Sequence, residues 1–554
     1  MIKHAFLAAS AAFAIAATPA AAQTVYTNMN GVHATADGEI QRFAGIVVDA
    51  DGRIVSLMQP GQSLPRGGYE VVDLRGANVL PGLIDAHGHV MGLGDAQLNL
   101  DLTGTSSIAD LQQRLAAYSE ANPDLPFLYG RGWNQELFDE VRFPTAADLD
   151  AVVGNRPVIL GRVDGHAVVA NSAAIRRANI TADTQDPEGG AIERLADGNP
   201  AGVFVDTAEE LLYVGMPRGT AADADRALAA AQTFALSEGL TAVADMGTSI
   251  DGWNAMRRAG DAGELKVRIM SYSAALEPAF SIAGTGPTPW LYDGKLRMGG
   301  IKLYSDGALG SRGALLKEPY EDKPDTLGLP VTPMDELGEL ARQGAERGFQ
   351  LAIHAIGDAA NDGVLDILEN LKATQVMAVS PRHRIEHVQI VDPVDLPRLA
   401  AADVIASMQP VHQTSDWQMA EKRLGMDRLG GAYAWKSLLD SGARLAFGSD
   451  FPVEHPNPFA GLEVAVTRVD ASGEPVGGWR AEEAVDLGTA LAAFTVHAAY
   501  AGFAEEQFGA LEPGRYADFI IVDRDISAIN PSQISETDVL ATYVGGERVW
   551  SAQD

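Results

Sequence analysis

The chain has 554 residues, 46% hydrophobic and 21% charged, a composition that excludes a disordered or fibrous protein and leaves ample length for a large core. Its 41 basic and 74 acidic side chains give a formal charge of -33, which repels polyphosphates and anionic membrane surfaces and argues against nucleic-acid binding. There is no cysteine, so thiolate ligands, thiol nucleophiles and disulfides are excluded, and His, Asp, Glu and Lys must carry any chemistry.

Residues 1–22 read as an export signal. Lys3 and His4 open it, a small apolar run follows from Ala5 to Thr18, and Ala20-Ala21-Ala22 supplies a small-x-small cleavage site. The mature chain is expected to begin at Gln23 in a periplasmic or extracellular space, free of the membrane once processed. The apolar run is too short and too rich in alanine for a span, which needs about 20 strongly apolar residues. From Gln23 to about Pro81, short strands are separated by Gly and Asp turns, and GIVVDADGRIVSL carries a hairpin signal at Asp51-Gly52. The same texture returns in ADFIIVDRD and VLATYVGGERVW. Residues 23–81 and 503–554 are therefore expected to form one small, β-sandwich-like domain from both chain ends.

Between them, residues 82–502 hold eight apolar runs that alternate with helical stretches: NVLPGLIDAH, RPVILGRV, LTAVADMG, GGIKLYSDG, FQLAIHAIG, HRIEHVQI, VIASMQPVH and RLAFGSD. These fit an α/β fold of the (β/α)8 TIM-barrel type, with an open doubly wound sheet as runner-up. Nearly every run ends in His, Asp or Lys, and barrel active sites lie at the C-terminal ends of strands, which favours the barrel. The gap at about 91–155, with FLYGRGWNQELF and a helix around Ile108 to Ala121, reads as an insertion near the barrel mouth. No GxGxxG follows the first strand, so a dinucleotide-binding oxidoreductase is unsupported.

His87 and His89 are one residue apart, so on a strand both imidazoles point to one face and can bind one ion. Alone this spacing is weak, because His is also an ordinary polar residue. His354, His387 and Asp450 also end apolar runs, and together these residues form the ligand kit for zinc or a similar divalent ion. Such an ion lowers the pKa of bound water towards about 7. Asp450 would then hold the nucleophile, take its proton and pass it to the leaving group. The alternative for Asp450 is a satisfied turn carboxylate in Gly448-Ser449-Asp450.

The strings PGLIDAHGH, HAIGD, RIEHVQ, GSDFPV and GGIKLYSDGALGSRGA, with the closing PGRYADFIIVD, resemble the amidohydrolase superfamily across essentially the whole mature chain. The likeness is to the amidohydrolase-3 group (YtcJ-like, N-substituted formamide deformylase-like). It implies that Lys302 is N6-carboxylated and bridges two metal ions, zinc by ligand type. One would sit on His87, His89, Lys302 and Asp450, the other on Lys302, His354 and His387. Some members keep only one metal, and without the resemblance Lys302 would read as a surface or ion-pair lysine.

The resemblance also places His166 of RVDGHAVVAN against the substrate, where it can polarise a carbonyl, with Arg162 and Asp164 orienting it. A satisfied loop histidine is the competing reading. Trp133 and Arg312 are candidates for lining the pocket, Asp306 for supporting a ligand, and His412 and His455 are weaker candidates. The implied activity is metal-dependent hydrolysis of a non-peptide carbon–nitrogen bond, amide or N-formyl, in a small-molecule substrate. Ester or lactone hydrolysis would suit the same site, and a non-catalytic metal- or substrate-binding protein is the alternative from another class. Asp450 argues against the latter, since a scavenger needs no proton shuttle. Homo-oligomerisation is left open.

Overall fold

The computed structural model describes residues 23–553 apart from 66, 215, 217, 218 and 375–380, so the export signal expected at 1–22 lies outside the described residues. Eight strands pair in chain order, each parallel to the next: β1 (Leu83–Gly88), β2 (Leu240–Thr248), β3 (Arg268–Ser273), β4 (Leu296–Tyr304), β5 (Gln350–Ala355), β6 (Arg384–His387), β7 (Ile405–Met408) and β8 (Arg444–Phe447). The ring closes just beyond β8, where Asp450 N donates to His87 O at 2.7 Å and His89 N to Phe451 O at 2.8 Å. The expected barrel is therefore present. Alternation along each strand divides its side chains: Ile84, Ala242, Ala244 and Ala352 fill the interior, while Leu83, Val243, Ile301 and Ile353 pack under the outer helices. Helix Val496–Ala501 and Phe508 join the interior cluster at the barrel's lower end.

Both chain ends share one seven-stranded sheet in the order Glu547–Ser551, Val539–Val544, Phe519–Val522, Tyr69–Pro81, Gln23–Ala34, Ile40–Val48, Ile54–Met58. Tyr69–Pro81 joins the two ends, pairing parallel with Gln23–Ala34 and antiparallel with Phe519–Val522. Its core includes Tyr26, Phe519 and Tyr543, with the last two rings stacked 4.3 Å apart. From Pro81 the chain passes through Gly82 into β1. A Cβ at Gly82 would lie 2.2 Å from Thr241 Oγ1, so the close approach to β2 requires glycine there.

A third sheet is inserted between β1 and β2, in the order Gly190–Arg194, Pro200–Asp206, Ala167–Ala170, Val158–Arg162, Leu128–Trp133, Leu100–Asp101. Here the structure corrects the sequence expectation. RPVILGRV is not a barrel strand but Val158–Arg162 of this sheet, so the insertion extends well past residue 155. The run misleads because it is buried on both faces: Val158 and Leu160 pack with Leu111 and Leu115 of the helix Ile108–Ala121, and Ile159 packs with Ile175 and Phe204 on the other side.

The strand it displaced from the count is β3, RIMSYS, whose polar alternation conceals complete burial. Arg268 explains the pattern. Its Nε and Nη2 donate to Asp518 Oδ2 and Oδ1 at 2.6 and 2.9 Å, Nη1 donates to the Asp293 and Gly294 carbonyls, and the guanidinium lies 4.1 Å from the Tyr516 ring centroid. This buried pair ties the barrel to the end sheet, since Asp518 precedes the strand Phe519–Val522. Asp518→Ala is expected to destabilise the fold by about 3–5 kcal/mol, because it strands a buried guanidinium. The Arg268→Met, Asp518→Leu double variant should lose less, as read by denaturant unfolding.

Candidate active site

The six expected ligands lie at or just beyond the upper strand ends. His87 is the penultimate residue of β1 and His89 follows that strand, Lys302 lies near the end of β4, His354 near the end of β5, His387 ends β6, and Asp450 follows β8. One donor atom from each of His87, His387 and Asp450 lies within 4.8 Å of the others. Asp450 Oδ1 is 3.0 Å from His89 Nε2 and 3.4 Å from His87 Nε2, and Lys302 Nζ is also 3.4 Å from His87 Nε2. The His354 and His387 ring centroids are 4.6 Å apart. His387 and Asp450 have φ of +76 and +58, a left-handed backbone that non-glycine residues adopt at a cost of about 1–3 kcal/mol each.

Neighbours orient these donors. His87 Nδ1 donates to Glu386 Oε2 at 2.6 Å and His387 Nδ1 to Gln409 Oε1 at 2.9 Å, which leaves each Nε2 lone pair free to coordinate. Burial lowers the His87 pKa to about 4 and holds His354 and His387 well below the ordinary histidine range, so all three imidazoles are neutral at pH 7, the form that can coordinate a metal. His354 Nε2 is buried without a hydrogen-bond partner, and its nearest carboxylate oxygen, on Asp306, is 3.6 Å away. An orphaned imidazole nitrogen beside other neutral donors and a carboxylate fits a divalent metal ion. Lys302 fits too: burial, reinforced by Arg384, lowers its pKa to about 8. Asp450 is held well below the usual carboxylate range, because hydrogen bonds from His412 and His89 outweigh the burial that would protonate it.

Several residues were missed or undervalued in the sequence. Arg384 and Glu386 alternate on β6 and share the barrel interior, bonded through Nε to Oε1 at 2.8 Å and Nη2 to Oε2 at 3.0 Å. Burial would raise the Glu386 pKa, but Arg384 and then His87 hold it far below the usual carboxylate range. A charged Arg-x-Glu inside an apolar run was the available signal. His412, on the first turn of the helix Pro410–Leu424, bridges Asp450 Oδ2 at 3.4 Å and Glu454 Oε1 at 3.1 Å. Those bonds outweigh burial and raise its pKa to about 10. Asp306 accepts from Leu315, Ile356 and Gly357 N at 2.8–3.1 Å, fixing the loop that follows His354.

Above the ligands opens a cavity of about 1680 Å³, walled by the inserted sheet on one side. His166, Arg162, Asp164, His412 and His455 line it. His166 Nδ1 donates to Asp206 Oδ1 at 2.6 Å, and its ring centroid lies 5.2 Å from that of His354. Burial alone would lower the His166 pKa, but the bond and charge of Asp206 raise it to about 9. Trp133 and Arg312 do not line the cavity, which corrects two expectations. Trp133 is fully buried in the core of the inserted sheet, its Nε1 donating to Leu160 O at 2.7 Å, and Arg312 forms a surface ion pair with Asp322 at 2.9 Å.

A parallel barrel that gathers buried His, Lys and Asp beneath a deep cavity has the architecture of a metal-dependent hydrolase. The chain belongs to the amidohydrolase family: the family pattern Amidohydro_3 matches residues 70–550. It is 33% identical over 490 residues to the putative amidohydrolase YtcJ of Bacillus subtilis, covering 87% of this chain and 90% of that protein. It is 29% identical over 500 residues to N-substituted formamide deformylase of Arthrobacter pascens, covering 86% and 89%. The crystal structure of an uncharacterized metal-dependent hydrolase from Pyrococcus horikoshii matches with a TM-score of 0.73 at 27% identity, covering 92% of this chain and 99% of that one.

Because Glu386 fixes the His87 tautomer, Glu386→Gln is expected to weaken metal retention by about 10- to 100-fold, as metal content after dialysis against graded chelator will show.

Proposed function

We propose that the protein hydrolyses a non-peptide carbon–nitrogen bond of a small molecule, of the amide or N-formyl type. Asp450 carries this reading: an ionised carboxylate within 3.4 Å of three histidines, at the strand end that faces the cavity. The likeness to N-substituted formamide deformylase over most of both chains supports the bond class. A divalent cation bound at these ligands, zinc by donor type, would supply Lewis-acid polarisation and acidify a water. Lys302 has the low pKa that N6-carboxylation needs: its neutral amine adds to carbon dioxide, an N–C bond forms, and one proton leaves.

Asp450 takes the proton of the attacking water and returns it to the departing nitrogen, while His412, held between Asp450 and Glu454, fixes the carboxylate's orientation. His166, protonated at neutral pH and clamped by Asp206, donates to the oxygen that gains charge as the carbonyl becomes tetrahedral. The proposal includes export of a mature chain starting at Gln23. No helix among the described residues is long and apolar enough to cross a membrane.

Chelation is expected to abolish turnover of a panel of N-formyl and N-acyl amines, and added zinc to restore it. Asp450→Asn should lower kcat by about 100- to 10,000-fold; near-normal turnover in either experiment would overturn the mechanism. The pH profile gives an independent check. The active form holds a proton on His166, so kcat/KM should fall as pH rises through about 9, and His166→Gln should remove that alkaline limb. N-terminal sequencing of the exported protein should begin at Gln23.

A further inference from the structure

One wall of the cavity carries a cation that forms no close ion pair among the described residues. Three arginines among those residues line the cavity. Arg162 is paired with Asp164 and held by Gln135 at 2.8 Å and Asn134 at 3.2 Å, and Arg226 is paired with Asp223. Arg131 has no carboxylate within 4.0 Å among the described residues. It makes one hydrogen bond, from Nη2 to the Val163 carbonyl at 2.8 Å, and its Nε is buried without a partner. A guanidinium offers a planar fork of donors suited to a carboxylate, and most of this fork is unused.

The backbone aims the side chain. Arg131 lies on the strand Leu128–Trp133, whose register against Val158–Arg162 shifts between Arg131 and Trp133, with Gly132 at φ +110 inside the bulge. In an unbroken strand the two residues would share a face. The bulge separates them, so Trp133 enters the core while Arg131 lines the cavity. Its contact with Val163 also sets the guanidinium against the short loop that carries His166. A Cβ added at Gly165 would lie 3.5 Å from Nη2. Burial draws the Arg131 pKa down, opposed by Asp450, Asp164 and Glu209, as befits a desolvated cation that lacks a close counter-ion.

We propose that Arg131 binds a carboxylate of the substrate, so the cavity takes amides that carry an anionic group a few bonds from the scissile C–N bond. The bond cleaved rests on the function proposed above; recognition of the anion rests on Arg131 alone. A charge-assisted fork of this kind discriminates through KM, because it is formed equally in the ground state and the transition state.

The test uses metal-loaded protein and two matched pairs, N-formylphenylalanine and 4-(formamidomethyl)benzoate, each against its own carboxamide. In the better pair, kcat/KM should favour the carboxylate by about 10-fold or more, as one charged hydrogen-bonding contact provides. Arg131→Gln should bring that ratio close to one, mainly through KM, and Arg131→Lys should restore part of it. A ratio near one for both pairs in the unaltered protein, or a preference that survives Arg131→Gln, would overturn the proposal. Calorimetric titration with N-benzoylglycine and its amide separates the two ideas. If no amide is hydrolysed, the C–N hydrolase reading fails, yet tighter binding of the acid that Arg131→Gln abolishes still supports the anchor. Equal binding of acid and amide defeats it.

Discussion

The seam that closes the barrel runs through the candidate metal-binding cluster. Asp450 N bonds His87 O and His89 N bonds Phe451 O, so the backbones of three candidate ligands help to join the last strand to the first. Asp85 fastens the seam from below. Its carboxylate accepts from Ser449 N at 3.1 Å, Ser449 Oγ at 2.6 Å and His87 N at 3.0 Å, and these bonds work against the burial that raises its pKa to about 7. Gly448 follows from the same constraint, since a Cβ there would lie 2.4 Å from Asp85 Oδ1. The separation of His87 from Asp450 is therefore fixed by barrel closure rather than by the rotamers of two flexible side chains, which is the preorganisation a hydrolytic centre needs.

A second constraint lies beneath the ligands, where the barrel interior holds a fully buried ion pair. Arg384 bonds Glu386 twice and also donates to Ala86 O at 2.6 Å, Ser407 Oγ at 2.7 Å and Tyr272 OH at 3.2 Å. With that many partners the guanidinium is satisfied despite complete desolvation. Its charge has two effects on the site. It keeps Glu386 anionic, so that His87 Nδ1 must donate, and it adds to the burial that lowers the pKa of Lys302, although Glu386 opposes that shift. One interior pair thus sets the tautomer of a candidate histidine ligand.

The sequence disclosed the parts of this arrangement that obey strand periodicity. His87, His354, His387 and Asp450 stood out because each ends an apolar run, and the paired end segments stood out through their turn-rich strands. What stayed hidden depended on tertiary context. RPVILGRV and RIMSYS exchanged roles because a run buried on both faces reads alike in any sheet, whereas an arginine meeting Asp518, some 250 positions later, imitates an exposed strand. Trp133 was overvalued since a bulge, invisible in the letters, turns it inward. His412 was undervalued since it belongs to a helix rather than a strand end. The partnership of His166 with Asp206 spans 40 residues of the inserted sheet, and no local pattern announces it.

These differences place the two halves of the site on different scaffolds. The barrel fixes the donors through closure, while the wall facing them comes from the inserted sheet, which hangs between β1 and β2. That wall has to be held accurately if His166 is to meet a carbonyl above His354. Two features provide this. Asp206 grips His166 at two points, its backbone N bonding His166 O at 3.0 Å and its carboxylate bonding Nδ1. Arg423, buried in the helix Pro410–Leu424 that also carries His412, reaches Glu136 of the insertion at 2.7 Å and Gly310 O at 3.0 Å. The helix that meets Asp450 through His412 therefore also contacts the insertion, so the carboxylate proposed to move the proton and the wall proposed to face the carbonyl share one support.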